Sequence, residues 1–426
     1  VLVVLLCVLA FAMLALGFEM LLVMGLPAVL AKAAFQPGMP DVIIPQKIMS
    51  GVNVGTLLAI PFFIFAAELM AHGVIAKRLT AMVRALVGHT PGGIGHTTVA
   101  SCMAFGAVCG SAPATVAALG RLCHPELARA GYSEKFSLGL IASSAECALL
   151  IPPSITMIIY GWITGTSIAA LFAGGLMVGV VLGVAFMGLV QWETWRVAAR
   201  RGDKPGPGER LAAVQAGAWA LGLPLVILGG IYSGIFTATE AAAVAVVYAV
   251  LVEMVVYRAI GVRELVRIAE SSAVTVSAIF VLLAMGALLS HFVVLADLPR
   301  IVLDFVRELN MNWVMFLLFV NVLLFAAGMF IDPNSILLLF VPTLYPVATA
   351  LGIDPVHFGL LVTLNICIGM ITPPFGLDLF VAASTLNRPV ETVIGGIWRF
   401  VLVNIAVLAL ITYVPAISTA LPKLLL

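Results

Sequence analysis

The sequence predicts an all-α integral membrane protein built of two inverted repeats, with about ten spanning helices and two re-entrant hairpins. Three observations carry that expectation. Only 10% of the 426 residues are charged and 63% are hydrophobic, whereas a soluble domain carries about 25% charged residues. Long apolar stretches recur at 1–16, 57–70, 171–190, 241–256, 315–329 and 400–410. Each can cross about 30 Å of hydrocarbon or lies within a segment that can. The chain also resembles itself at an offset of about 221 residues. A transmembrane β-barrel would show short alternating segments instead.

The offset pairs Ile151-Pro152-Pro153-Ser154 with Thr372-Pro373-Pro374-Phe375, Gly174-Gly175 with Gly395-Gly396, and Glu19 with Glu240. Within a residue or two it also pairs the Gly110-Ser111-Ala112-Pro113 turn with the segment from Gly328 to Asp332-Pro333. Several matches in register divide the chain into a first repeat (1–195), a hydrophilic linker (196–210) and a second repeat (211–426). Internal repeats of this kind are common in secondary transporters.

Loop charge sets the orientation. The linker holds five Lys/Arg, which places it in the cytoplasm. Residues 76–84 carry Lys77, Arg78 and Arg84 without an acid, while the equivalent 297–308 carries three acids and two Arg. Residues 121–135 hold three Lys/Arg against none in 342–356, and 258–267 hold three against none in 37–46. Equivalent loops fall on opposite sides, so the expected repeat is inverted.

Two segments in each half do not read as plain spans. From Gly95 to Gly110 a helix rises only about 22 Å, and the return from Ala114 to Leu122 is shorter. A re-entrant hairpin at about 93–127 with its tip at Gly110-Ser111-Ala112-Pro113 fits, with a counterpart at about 313–347 whose tip is Asp332-Pro333-Asn334-Ser335. A Pro-kinked spanning helix at each place is the competing reading. The next segments, about 136–166 and 356–386, carry Pro152-Pro153 and Pro373-Pro374 at their centres. Paired prolines remove backbone donors and open the helix, and the freed carbonyls need a partner, a wet cavity or an ion.

Such breaks offer backbone carbonyls to a desolvated cation, while half-helix N-termini suit a carboxylate. Hydroxyls of Ser111, Thr115 and Ser154 can add cation ligands in the first half, as can Asp332, Asn334, Ser335 and Thr372 in the second. Asp332 is a functional candidate because an intramembrane carboxylate is costly; the plain alternative is a hairpin cap facing a water-filled vestibule. Glu146 and Asp378, within two turns of the breaks, raise the same question. Glu68 and Glu253 read as interfacial. His72, His89, His96 and His124 fall in or near loops, which argues against a proton relay.

The six cysteines (Cys7, Cys102, Cys109, Cys123, Cys147, Cys367) show no paired ligand spacing and read as packing residues. Segment 1–16 lacks the basic flank and cleavage site of a signal peptide. No HExxH, Walker A or Gly-x-Ser-x-Gly sequence occurs. The expectation is therefore no enzyme, no ATP, no organic cofactor and no nucleic acid, with an ion gradient as the driving force. A channel or passive scaffold subunit is a further reading from a different class.

The runs Gly110-Ser111-Ala112-Pro113-Ala114-Thr115-Val116-Ala117-Ala118, Ile151-Pro152-Pro153-Ser154-Ile155 and Ile371-Thr372-Pro373-Pro374-Phe375-Gly376 resemble the large membrane subunit of tripartite ATP-independent periplasmic (TRAP) transporters. So do Thr237-Ala238-Thr239-Glu240-Ala241-Ala242-Ala243 and Gly352-Ile353-Asp354-Pro355-Val356-His357-Phe358-Gly359. The likeness runs in order along nearly the whole chain.

The resemblance implies a multi-pass protein of the bacterial inner membrane, of the ion-transporter-superfamily elevator type, importing a small organic acid with Na⁺. It implies two partners: a small four-helix membrane subunit (Q type) and a periplasmic substrate-binding protein (P type). By position, Gly110, Ser111, Thr115, Pro152 and Ser154 would form one Na⁺ site. Gly328, Asp332, Asn334, Thr372, Pro373 and Gly376 would form another. Substrate would lie between, at Ser111, Ala112, Ser144, Glu146, Asn365 and Asp378. Asp378 stands where the family more often has an amide and Glu146 where it has a small residue, departures that point to a cargo with an amino or other cationic group. The alternative function is a stand-alone ion-coupled organic-anion transporter needing no binding protein.

Overall fold

The computed structural model describes residues 2–426. Val1 and the side chains of 1–5 and Cys7, including the packing role expected of that cysteine, lie outside the described residues. Among the described residues every regular element is helical.

The first half runs α1 (Leu2–Ala15), α2 (Met20–Phe35), α3 (Ile43–Val52), α4 (Ala59–His72), α5 (Ile75–Val87), α6 (Gly93–Cys109), α7 (Ala112–Ala130), α8 (Glu134–Ala145), α9 (Cys147–Leu150), α10 (Ile155–Thr164) and α11 (Ile168–Val197). The second runs α12 (Pro207–Tyr232), α13 (Ala238–Val250), α14 (Val262–Leu295), α15 (Leu298–Glu308), α16 (Trp313–Gly328), α17 (Pro333–Ala350), α18 (Pro355–Met370), α19 (Leu377–Leu386), α20 (Val390–Tyr413) and α21 (Ala416–Leu425). Among the described residues seven helical segments are long and apolar enough to cross a membrane. Shorter apolar helices, α6, α16 and α18 among them, take up much of the remaining hydrophobic sequence.

Hydrophobic side chains point both ways. Phe105, Phe172, Phe186, Phe316, Phe358 and Phe400 are wholly buried, yet Leu225 is 72% and Val274 73% exposed. Water would not tolerate that outer surface, whereas hydrocarbon solvates it.

Helix boundaries follow capping chemistry. Ser111 and Asp332 cap α7 and α17, and Ser133 and Asp354 cap α8 and α18. Both pairs are spaced as Glu146 and Cys367 are, 221 residues apart. The packing has the same rhythm: α8 packs on α20 while α18 packs on α11, and α7 packs on α19 while α17 packs on α10. The contact of α8 with α20 and that of α11 with α9 need glycine. A Cβ on Gly139 would lie 2.5 Å from the Gly396 carbonyl oxygen, and one on Gly175 2.5 Å from that of Leu150.

Expectations for the linker, for the return arm of the first hairpin and for two histidines are corrected. The irregular segment between the halves is 198–206, shorter than 196–210, because α11 extends through Arg196 and α12 starts at Pro207, a residue suited to the first helical position. The return arm of the first hairpin extends through Pro125 to Ala130 instead of ending near Leu122. Glu253, near the end of its helix as expected, is fully buried within the protein. It sits in a π-helical turn that continues α13 and accepts hydrogen bonds from Val74 N and Ile75 N at 3.2 Å, capping α5. His96 and His124, expected in or near loops, lie within α6 and α7.

Candidate functional site

Each hairpin tip meets a helix break of its own half. In the first half α6 ends at Gly110, which is left-handed (φ 60°), and Ser111 opens α7 by accepting from Ala114 N at 3.5 Å. The break at Ile151–Ser154 lies against this turn, so close that a Cβ on Gly110 would collide with the Pro153 carbonyl. Ser154 caps α10 by accepting from Met157 N at 3.5 Å. Gly110, Ser111, Thr115, Pro152 and Ser154 therefore converge on one turn–break contact, and Ala112 is buried at the start of α7 beside them.

In the second half Phe375 N donates to the Met329 carbonyl at 3.2 Å, joining break to tip. A Cβ on Gly328 would stand 2.9 Å from Gly369 Cα, so α16 and α18 touch through their backbones. Asp332 Oδ2 accepts from Asn334 N at 3.1 Å and Ser335 N at 3.2 Å. This carboxylate is a helix cap, and it also lines an 880 Å³ cavity with Phe330 and Phe375. Gly376 opens α19 without a side-chain cap.

The hydroxyl protons are already committed. Thr115 Oγ1 donates to the Ser111 carbonyl at 2.8 Å and Thr372 Oγ1 to that of Ile368 at 2.6 Å. Each leaves oxygen lone pairs as its remaining valence, the polarity a hard cation needs. Among the described residues no cluster of three His, Cys, Asp or Glu can hold a metal, so a cation here would rest on hydroxyl, carbonyl and single carboxylate oxygens.

Buried polar groups without partners lie in and around these contacts. Glu146, at the junction of α8 and α9, accepts from Asn404 Nδ2 at 3.0 Å through Oε2, while its Oε1 has no partner. Asp378, in the first turn of α19, is fully buried with neither oxygen paired. The two acids are near enough to act on each other electrostatically. Ser143, Ser144 and Ser335 have unpartnered hydroxyls, and Asn365 and Asn404 have unpartnered carbonyl oxygens. Asn365 uses its Nδ2 on Asn321 Oδ1 and the Leu361 carbonyl, both at 2.9 Å. Buried groups left this way cost about 1–3 kcal/mol each, more when charged, unless a proton, water or ligand answers them.

Residue reasoning did not single out Asn404, Asn321 or Ser143. The signal was present: Asn404 and Asn321 are single amides in the apolar helices α20 and α16, and such residues face a bundle interior.

Comparisons with known proteins place the chain in a family. The family profile described as "Tripartite ATP-independent periplasmic transporter, DctM component" matches residues 7–417. The ectoine TRAP transporter large permease protein TeaC of Halomonas elongata is 40% identical over 413 residues, covering 95% of each chain. The C4-dicarboxylate TRAP transporter large permease protein DctM of Rhodobacter capsulatus is 40% identical over 394 residues, covering 89% of each. Among solved structures, the Alcanivorax borkumensis YdaH transporter superposes with a TM-score of 0.63 at 13% identity, over 88% of this chain and 87% of that one. It shares the fold. The chain belongs to the DctM component family of tripartite ATP-independent periplasmic transporters.

Proposed function

We propose that this subunit imports a small carboxylate-bearing solute across the bacterial inner membrane, coupled to Na⁺, by elevator-type alternating access. The supporting observation is the pair of tip–break contacts with unpartnered buried polar groups about them. One Na⁺ is held at Gly110, Ser111, Thr115, Pro152 and Ser154. A second is held at Gly328, Asp332, Asn334, Thr372, Pro373 and Gly376. Cargo sits between, at Ser111, Ala112, Ser144, Glu146, Asn365 and Asp378. The two halves are inverted repeats, so breaks approached from opposite faces meet near mid-bilayer.

Coupling follows from electrostatics. The N-termini of α10 and α19 present partial positive charge to a cargo carboxylate, and a cation at the adjoining carbonyls strengthens that attraction in a low-dielectric site. Neither charge is well solvated alone, and together they neutralise. A small Q-type membrane subunit braces the chain and a P-type periplasmic protein delivers cargo. The relatives named for ectoine and for C4-dicarboxylates differ in cargo at equal identity, which fits selection by the delivering protein and by residues such as Glu146 and Asp378.

Reconstitution with both partner proteins tests the proposal. Uptake of radiolabelled ectoine or succinate into proteoliposomes is expected to need an inward Na⁺ gradient. Uptake indifferent to Na⁺ would refute the coupling, and uptake by this chain alone would place it with the stand-alone transporters.

A further inference from the structure

A second polar cavity lies away from the tips and breaks. Its volume is about 370 Å³, and its lining includes Lys47, Ser50, Trp162, Ser290, His291 and Leu338. One wall is α3 packed on α14, and the other is α10 packed on α17. Both helices of the second wall start at the candidate site, α10 at Ser154 and α17 at Asp332. At 1.5 Å per residue, Trp162 stands about 12 Å along α10 from Ser154 and Leu338 about 9 Å along α17 from Asp332. The cavity thus lies about two turns from both breaks, walled on one side by helices that belong to neither.

Its charge has one sign. No Asp or Glu lines it, and none of the ion pairs among the described residues involves Lys47. Lys47 is close enough to act on His291 electrostatically. His291 Nε2 is hidden from water and has no hydrogen-bond partner, although buried ring nitrogens are normally paired. A half-buried lysine, the imidazole beside it and the hydroxyl of Ser290 make a lining suited to an anion, and the space suits a small one.

We propose that this cleft is an anion-receiving site, where a carboxylate of the cargo is held by Lys47, beside the His291 ring, before it moves to the tips. Its place in transport rests on the proposed import function; its capacity to bind an anion does not. A lipid phosphate has related chemistry, and the experiment separates the two.

Trp162 is a built-in reporter. The full chain in phosphatidylcholine nanodiscs, without Na⁺, is titrated with succinate and with ectoine while tryptophan emission is read. A saturable change is expected that vanishes in Trp162→Phe, with half-saturation raised about tenfold in Lys47→Met, the loss of one charge-assisted bond, and largely restored in Lys47→Arg. In reconstituted complexes Lys47→Met is expected to raise the KM for uptake about tenfold with kcat nearly kept, because capture is weakened while the later rate-limiting step no longer involves Lys47. No Trp162-dependent signal from either probe, or half-saturation unchanged in Lys47→Met, overturns the proposal. So does loss of the signal when phosphatidylglycerol replaces phosphatidylcholine, which would make the cleft a lipid site. A Lys47→Met complex with native KM and intact Na⁺ dependence sinks this inference alone, whereas Na⁺-indifferent uptake by the native complex sinks the transport proposal and leaves anion binding to stand or fall on the titration.

Discussion

Cys367 touches Glu146: its Sγ donates to the Glu146 carbonyl oxygen at 3.7 Å, across 221 residues of chain. The same spacing separates the helix caps Ser111 and Asp332, and Ser133 and Asp354. If a two-fold axis relates the halves, only positions beside that axis can meet their own counterparts. Glu146 and Cys367 therefore mark where the proposed axis passes, and the unpartnered oxygen of Glu146 lies on it or close by.

Asp378 has no partner for either oxygen, so its charge must be answered by cargo, cation or proton. Asp378→Asn keeps the shape and removes the charge. The expected outcome is a shift of about tenfold in the ratio of kcat/KM for ectoine to that for succinate, towards succinate, with little change in Na⁺ titration. Competition uptake in proteoliposomes reads both. An unchanged ratio would remove Asp378 from the cargo site.

Asp332 has a local duty as the cap of α17. Asparagine caps as well as aspartate, so Asp332→Asn leaves the turn intact and isolates the charge. Half-saturation by Na⁺ is expected to rise about tenfold, with the thermal midpoint unchanged. A native Na⁺ titration would show that capping is all Asp332 does.

Much of this arrangement was legible in the sequence because prolines and caps act locally. Pro152-Pro153 and Pro373-Pro374 stop helices wherever they occur, and the turns at Gly110-Ser111 and Asp332-Pro333 carry their own geometry. Single prolines were less informative. The first hairpin's return was expected to end near Leu122, yet α7 continues through Pro125, as α17 does through Pro342 and Pro346. Surrounding helices hold such segments in place whatever the local preference. Partners distant in sequence were not legible. Nothing near Glu253 announces that it caps α5, 178 residues earlier, and nothing near Glu146 announces Asn404. The Lys47–His291 cleft likewise exists only once α3 packs on α14.

Close backbone packing of α8 on α20 is expected to be intolerant of a single methyl. In Gly139→Ala the added carbon would stand 2.5 Å from a carbonyl oxygen and 2.8 Å from its carbon, both on Gly396. A loss of about 1–3 kcal/mol follows from overpacking. Gly229→Ala, where a Cβ meets nothing within 4 Å, is the control and is expected to be neutral or slightly stabilising. Chemical unfolding in detergent micelles compares the two.

Glu253→Ala would strip the cap from α5 and leave Val74 N and Ile75 N without an acceptor. The expected loss is about 2 kcal/mol or more of stability, visible as a lowered midpoint in the same unfolding experiment. A native midpoint would mean that water or another group replaces the carboxylate.

The inverted relation of the halves is best tested by two-sided labelling. Ser133 and Asp354 are exposed, cap equivalent helices and are spaced as Glu146 and Cys367 are. Ser133→Cys and Asp354→Cys, each in a background with the native cysteines replaced, are treated with a membrane-impermeant maleimide in right-side-out and inside-out vesicles. Labelling of position 133 only from the cytoplasmic side and of position 354 only from the outside is the expected result. Labelling of both from the same side would contradict the inverted repeat and with it the meeting of the two breaks in mid-bilayer.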